Sequence, residues 1–540
     1  MVRFPNSLAQ ESRFVMTSQT TTKWWTLGVV SVATFMLLLD ITVVNVALPS
    51  IEEDLGASFT DLQWVVDAYT LTLAAVVLTA GSLADRLGRR LVFAVGLGIF
   101  SIASLVAGLA TDPTFLNIAR GVQGIGGAAM FAVSLALIAQ EFPAGRERGM
   151  AMGVYGATIG LAVAFGPLVG GAIGEWLGWE WIFFLNVPIG VAAIAISYAR
   201  VRETRDPNAT RVDWPGLVTF SSSLGLLVLA LIRGNAEGWG SSLIVGLFAG
   251  AAVLLAAFIA IERRVAEPML PLGLFKRPAF TGVQIAAFGV SASMFSLFLY
   301  LTLYVRSFLG HGALETGLRY LPLTVANFLV AAAVGAFIAR VQARVIMAAG
   351  LVGTGAGLLL ISGVGVTDEW TGLLGGFIVA GAAIGLLNPV IADVALSVVP
   401  KEQSGMASGI NDTFRQVGIA LGIAVWGAIF LARGSAKVEE LTGIGGDRSR
   451  ELVEAVSSGN LDSAVASVPA GSREQVADAA REGFIAGFND IAVLGGLLAL
   501  ASAVAAFWLV RERDIEREPV EVVEPAAEPV IEPVPEPIAA

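Results

Sequence analysis

The 540-residue chain is 56% hydrophobic and only 14% charged, with a mean hydropathy of +0.76. That is too little charge to cover a soluble surface of this size, so lipid is the solvent for most of the chain. The formal charge of −11 comes mostly from one segment, because Glu512 to the end holds nine acidic residues against two basic ones. The balance therefore says nothing about the charge of a ligand. There is no cysteine, which excludes disulfides, thiolate catalysis and cysteine metal sites.

Residues 1–23, with Arg3, Arg13 and Lys23, read as a cytoplasmic segment leading into an uncleaved first helix. Apolar runs of about 20 residues, the length that crosses a bilayer, follow near 26–49, 64–83, 91–110, 115–138, 150–173 and 181–200. Two more lie near 215–233 and 242–262, and a last set near 280–305, 317–339, 345–364, 371–396, 405–431 and 486–510. The sole histidine, His311, falls in a polar stretch and reads as a solvated loop residue. The polar segment 432–485 has helical stretches at 452–456 and 473–480. Residues 511–540 alternate glutamate and proline, as at Glu524, Pro525, Glu528 and Pro529, and read as a disordered acidic tail.

Fourteen spans put both termini on one side. With that side cytoplasmic, most lysines and arginines fall in cytoplasmic segments, as the positive-inside rule requires. Trp24, Trp25, Trp64, Trp176, Trp179, Trp181, Trp214, Trp239 and Trp370 sit near span ends, as interfacial anchors do. Gly81, Arg86, Arg90 and Gly96 recur as Gly335, Arg340, Arg344 and Gly350, which points to internal duplication. The expected fold is an all-α polytopic membrane protein. It comprises a six-helix bundle at 24–200, two linker helices and their loops at 201–277, and a second six-helix bundle at 278–510 with the outer loop 432–485.

Four motifs then resemble the major facilitator superfamily, in its fourteen-helix drug:proton antiporter branch. The first is Leu39, Asp40, Thr42, Val44, Asn45, Ala47 and Pro49 in span 1. The second is Gly81, Asp85, Arg86, Gly88, Arg89 and Arg90 between spans 2 and 3. The third is Arg120, Gln123, Gly124, Gly126 and Gly127 in span 4. The fourth, similar to the branch's antiporter motif, is Gly156, Gly160, Gly166, Pro167, Gly170 and Gly171 in span 5. The resemblance implies proton-coupled export of amphipathic drugs or toxic compounds, and the in-membrane carboxylates point to cationic ones among the branch's several substrate types. It implies that Arg120 takes part in proton coupling and that the 85–90 turn holds the halves together in one conformation. It also implies that the span-5 glycines seal against leak.

Ionisable groups inside spans are costly in hydrocarbon and are functional candidates. Asp40 lies about 21 Å from the cytoplasmic end of its span, Arg120 about 8 Å and Asp67 about 5 Å from the outer surface, at 1.5 Å per residue. These depths place all three in the outer half, as one charged cluster facing a central cavity, with a permanent Asp–Arg staple as the bland alternative. In span 13, Asp412 shares a helix face with Arg415 and Gln416, where a local ion pair is the plain reading. Asp393, about two turns from the cytoplasmic end, is expected to snorkel.

One histidine and no cysteine argue against an enzyme, and no phosphate-binding loop motif occurs. An ion gradient, with no cofactor, is the expected energy source. The expected partners are a small amphipathic substrate, protons and the lipid bilayer, with no nucleic acid. A monomer in a bacterial plasma membrane is expected. A dedicated exporter of a native lipid, siderophore or self-made antibiotic is the alternative.

Overall fold

The structure, a computed structural model, describes residues 7–57, 59–142, 146–206, 212–337 and 341–515. Residues 516–540 of the expected disordered tail, residues 1–6 and Arg340 lie outside it. So do the side chains of Asn45, Pro49, Pro167, Gly171 and Gly335.

Each expected span is a helix. The first six are α1 (Ser7–Leu55), α2 (Phe59–Leu87), α3 (Arg89–Gly108), α4 (Pro113–Glu141), α5 (Arg146–Trp176) and α6 (Glu180–Arg200). The linker pair is α7 (Trp214–Glu237) and α8 (Ser242–Glu262). The last six are α9 (Pro278–Phe308), α10 (Leu321–Phe337), α11 (Ala343–Ile361), α12 (Leu374–Ser397), α13 (Ser404–Thr442) and α14 (Arg473–Leu509). Twelve of these are long and apolar enough to cross a membrane among the described residues; α10 contributes the shorter apolar run Leu321–Val334.

Sequence punctuation sets the helix starts. Asp112 accepts from the Phe115 N–H (3.0 Å) ahead of Pro113, and Asp213 accepts from the Gly216 N–H (2.8 Å) ahead of Pro215. In both, a carboxylate satisfies an orphan donor and proline occupies the first turn, where its missing N–H costs nothing. Gly443, at φ 73°, ends α13 in the left-handed conformation.

Each six-helix half has its own main apolar cluster, and each cluster reaches across the seam, one taking in Leu78 of α2 and the other Ala392 and Leu396 of α12. Gly96 of α3 lies against α4 at Ala129 and Gly126, and its counterpart Gly350 of α11 lies against α12 at Leu387 and Ala383. The halves meet where α5 packs on α10 and α2 packs on α13, and α7 lies across α2 and α13. The turns rich in arginine all fall at one end of the bundle, the basic end; the other is the far end.

Two expectations need correction. Trp179 is 2% exposed and donates its Nε1–H to Asp54 (3.0 Å), so it is a packed core residue and no interfacial anchor. At the far end α13 and α14 run well past the apolar spans, and Asp447–Ser458 buries Leu452, Val453 and Val456 in the same cluster as Tyr304 and Phe484. The segment 432–485 is therefore a helical cap packed onto the core of the second half, with the expected helical stretches inside it. Helix α9 is broken by two wide turns, Ser291–Phe295 and Tyr304–Phe308. At the first, Trp426 of α13 donates to the Ala292 carbonyl (2.7 Å) and to Ser296 Oγ (3.0 Å), meeting the acceptor that such a turn releases.

Candidate functional site

At the basic end the 85–90 turn bolts the halves together. Asp85 accepts the Gly405 N–H (2.9 Å) on Oδ1 and the Met406 N–H (2.7 Å) on Oδ2. These are among the first donors of α13, which have no partner within the helix and sit at its positive end. Arg89 forks onto Asp85 Oδ1 (3.0 and 2.9 Å) and reaches the Glu402 carbonyl (2.9 Å). Both side chains thus bridge the two halves. A Cβ on Gly81 would overlap the Gly405 carbonyl, so glycine here permits backbone contact between α2 and α13.

The other members of the turn hold its flanks. Gly88 takes φ 123°, and the Glu203 carboxylate lies where a Cβ would point, accepting the Arg90 and Leu91 N–H groups (3.0 Å each). Arg90 donates to the Val201 carbonyl (3.2 Å), and Arg86 donates to Ser82 Oγ and to the Pro268 carbonyl (3.0 Å) beyond the linker pair. All three arginines are thus structurally engaged. A second bridge between halves joins Arg148 of α5 to Asp393 of α12 at 3.3 Å. Asp393 therefore does not snorkel, because its partner comes from the other half of the chain.

Within the first half, Asp40 and Arg120 pair at 2.5 Å with side chains 0% and 1% exposed. Arg120 also donates to the Val65 carbonyl (2.9 Å) and to Gln123 Oε1 (2.6 Å), and its guanidinium lies 4.3 Å from the Tyr69 ring centroid. Asp40 Oδ1 accepts from Gln123 (2.9 Å) and Asn186 (3.0 Å), and both amides reach Ser104 Oγ (2.8 and 3.3 Å). Five side chains from α1, α3, α4 and α6 thus close a network around the pair. Sequence reasoning missed Asn186 and Ser104. A polar asparagine inside a span was a usable signal for the first; Ser104 gave none.

Asp67 is not in this network. Val65 and Tyr69, one helical turn apart, face Arg120, so Asp67 between them points the other way. It lines a cavity of about 720 Å³ in the far half, between α1, α2, α7, α9 and α13. No hydrogen bond or ion pair reaches its carboxylate among the described residues. Gln416 and Thr70 share the cavity, Glu52 and Arg306 stand exposed at its margin, and the rest of the wall is aliphatic. Arg233, held by Glu237 at 2.7 Å, acts on Asp67 electrostatically.

The second half holds the opposite of the Asp40 network. Asp412 is 3% exposed, and its Oδ2 has no hydrogen-bond partner. Arg415 donates to Asn388 Oδ1 (3.2 Å) and lies 5.5 Å from the Phe295 ring centroid, so no ion pair joins it to Asp412. Asn388 Nδ2 and Gln284 Nε2 are also unpartnered, although Gln284 Oε1 accepts from Asn411 (3.3 Å). Asp412, Arg415 and Asn388 line a small gap whose other wall is Tyr155 and Gly156 of α5. Three unpartnered polar atoms, Asp412 Oδ2, Asn388 Nδ2 and Gln284 Nε2, are thus buried in this part of the second half.

The glycines of α5 serve two neighbours. Cβ atoms at Gly166 and Gly170 would meet Thr42 and Val43 of α1, and one at Gly160 would come within 2.6 Å of Asn327 of α10. At Gly156 the nearest atom, on Pro389, is 3.8 Å away.

A family profile described as Major Facilitator Superfamily matches residues 30–423. The chain belongs to the major facilitator superfamily. Among relatives in this superfamily, a puromycin resistance protein, pur8, of Streptomyces alboniger is 36% identical over 75% of this chain and 81% of its own. A tetracenomycin C resistance and export protein of Streptomyces glaucescens is 31% identical over 93% and 95%. The multidrug transporter protein MdtP of Bacillus subtilis is 32% identical over 74% of each chain. Among solved structures, the proton:xylose symporter XylE aligns with a TM-score of 0.61 at 16% identity, covering 91% of this chain and 97% of that one. That last likeness bears on the major facilitator fold alone.

Proposed function

We propose that this protein is a proton-coupled antiporter that exports amphipathic, cationic drugs or toxic compounds. It works as a monomer in a bacterial plasma membrane, with both termini and the basic end in the cytoplasm and no bound cofactor. The reading rests chiefly on the 720 Å³ cavity: a mostly aliphatic chamber with the Asp67 carboxylate on its wall and Glu52 at its margin, at the end opposite the closed 85–90 turn. Aliphatic walls remove an apolar body from water, and Asp67 supplies the charge that a cation meets. In this orientation the conformation is outward-facing.

Within that scheme the six in-membrane residues divide their work. Asp67 meets substrate. Asp412 carries the proton, since a buried carboxylate oxygen with no hydrogen-bond partner is costly to leave charged. Arg415 is close enough along α13 to compete for it once the halves rearrange. Asp40, Arg120 and Gln123 form a fully paired unit in this conformation, and they exchange partners only when the helices of the first half shift.

Ethidium efflux from energised cells tests this. Wild-type efflux should collapse with a protonophore, and Asp412→Asn and Asp67→Asn at equal expression should both lose it. Well-expressed wild type with no efflux of any cation would refute the multidrug reading. A dedicated exporter of one native lipid, siderophore or self-made antibiotic would then lead, a reading favoured by the match to the tetracenomycin export protein along nearly the whole chain.

A further inference from the structure

A second cavity, of about 350 Å³, lies between the linker pair and the two halves, nearer the basic end. Phe220 and Leu224 of α7, Phe258 of α8, Leu78 of α2, Phe288 of α9 and Phe414 of α13 are among its wall residues, nearly all of them apolar. Its one polar residue, Thr413, spends its hydroxyl on the Gly409 carbonyl (2.8 Å) and leaves its methyl to the cavity. Water has no partner there, and an empty space of that size forfeits the dispersion contacts of its lining. Hydrocarbon is the occupant the walls accept.

This cavity and the larger one are stacked on the same four helices, α2, α7, α9 and α13. On α2, Asp67, Thr70 and Ala74 face the larger cavity, and Leu78, one turn on from Ala74, faces the smaller. On α7, Leu231 and Val228 give way to Leu224 and Phe220; on α13, Ala420 and Gln416 give way to Val417 and Thr413. The partition between them is a thin apolar layer of Ala74, Leu224 and Val228, with Val417 and Ala420 packed on it. Among the described residues no ion pair crosses it, and the Thr79–Ser221 hydroxyl pair (2.6 Å) joins α2 to α7 beside the smaller cavity. The rise from Asp67 to Leu78 is about 16 Å, the reach of a chain on the order of a dozen methylenes.

We infer that the two cavities are compartments of one binding site for a cation carrying a long saturated tail. The inference rests on the cationic-exporter reading for its head group. The head lies at Asp67, the tail passes the aliphatic partition, and its end is buried against the linker pair. Helices α7 and α8 are then walls of the substrate site as well as a connection between halves. The other source of hydrocarbon is a membrane lipid entering beside Leu255, which is 43% exposed at the edge of the smaller cavity.

The test measures displacement of ethidium from the purified protein in lipid nanodiscs by alkyltrimethylammonium ions of increasing chain length, all below their micelle concentrations. For wild type, affinity should climb with each methylene, by up to about fourfold per step, and then level off once the smaller cavity is full. Leu224→Trp, which fills the partition, should cut the ratio of long-chain to short-chain affinity at least tenfold. Phe258→Ala, which widens the smaller cavity from α8, should move the plateau to longer tails, so the inference does not hang on one variant folding. A series that is flat in wild type means that lipid owns the smaller cavity, and it overturns the inference. A series that climbs identically in all three proteins places the tail elsewhere, and it overturns it too. Failure of ethidium to bind wild type at all sinks the cationic-exporter reading first and this inference with it; ethidium binding with a flat series sinks only the inference.

Discussion

Removal of the Asp85 carboxylate should release the basic end. Asp85 accepts two backbone N–H groups from the start of α13 and holds Arg89, which itself reaches across to Glu402. A hydrogen bond to a charged group contributes about 1.5–3 kcal/mol net. In the separated state those donors meet water, so Asp85→Ala should favour separation by at least about 3 kcal/mol, roughly a hundredfold in the equilibrium between conformations. The chain has no cysteine to remove, so Leu87→Cys and Glu402→Cys can carry spin labels directly. Wild type should show one short inter-label distance by pulsed electron spin resonance, and Asp85→Ala should add a long-distance population that rivals or exceeds it. An unchanged distance distribution in a folded Asp85→Ala protein would refute the assignment of these bonds as the closure between halves.

Asp40→Asn should leave Arg120 as a buried charge without a counterion, costing about 3–5 kcal/mol, read as a lower thermal unfolding temperature in detergent. Adding Arg120→Gln should recover much of that loss without recovering transport. Within α5, Gly170→Val should clash with Val43 and cost about 1–3 kcal/mol through overpacking. Gly156→Ala, with nothing nearer than 3.8 Å, should be tolerated in both thermal stability and efflux.

The helices were legible because lipid demands long uninterrupted apolar runs, which a sequence displays openly. The 85–90 segment was legible as a tight charged turn because its glycine and its charges are local, while its role as a clamp came from the family resemblance. Partners far along the chain were not: nothing near Asp393 announces Arg148, and nothing near Asp85 announces the start of α13. Depth along a span was readable from the rise per residue, but direction around the helix was not. Asp40 and Arg120 do lie together, but buried as the staple alternative has it and facing no cavity, whereas Asp67, at a similar depth, was wrongly added to them. Asp412 and Arg415 share a helix face in sequence, yet Arg415 is drawn to Asn388 on α12. The linker pair was recognisable only as two spans, because helices that are apolar all round carry no periodicity to show which face lines a cavity.

Proton exchange at the expense of substrate is best measured in proteoliposomes loaded with acid and a pH-sensitive dye. Adding ethidium outside wild-type vesicles should raise the internal pH as cation enters and protons leave, and Asp412→Asn should abolish the signal while retaining ethidium binding. Ethidium entry without any change in internal pH, or an undiminished pH signal in Asp412→Asn, would contradict proton-coupled antiport through this carboxylate.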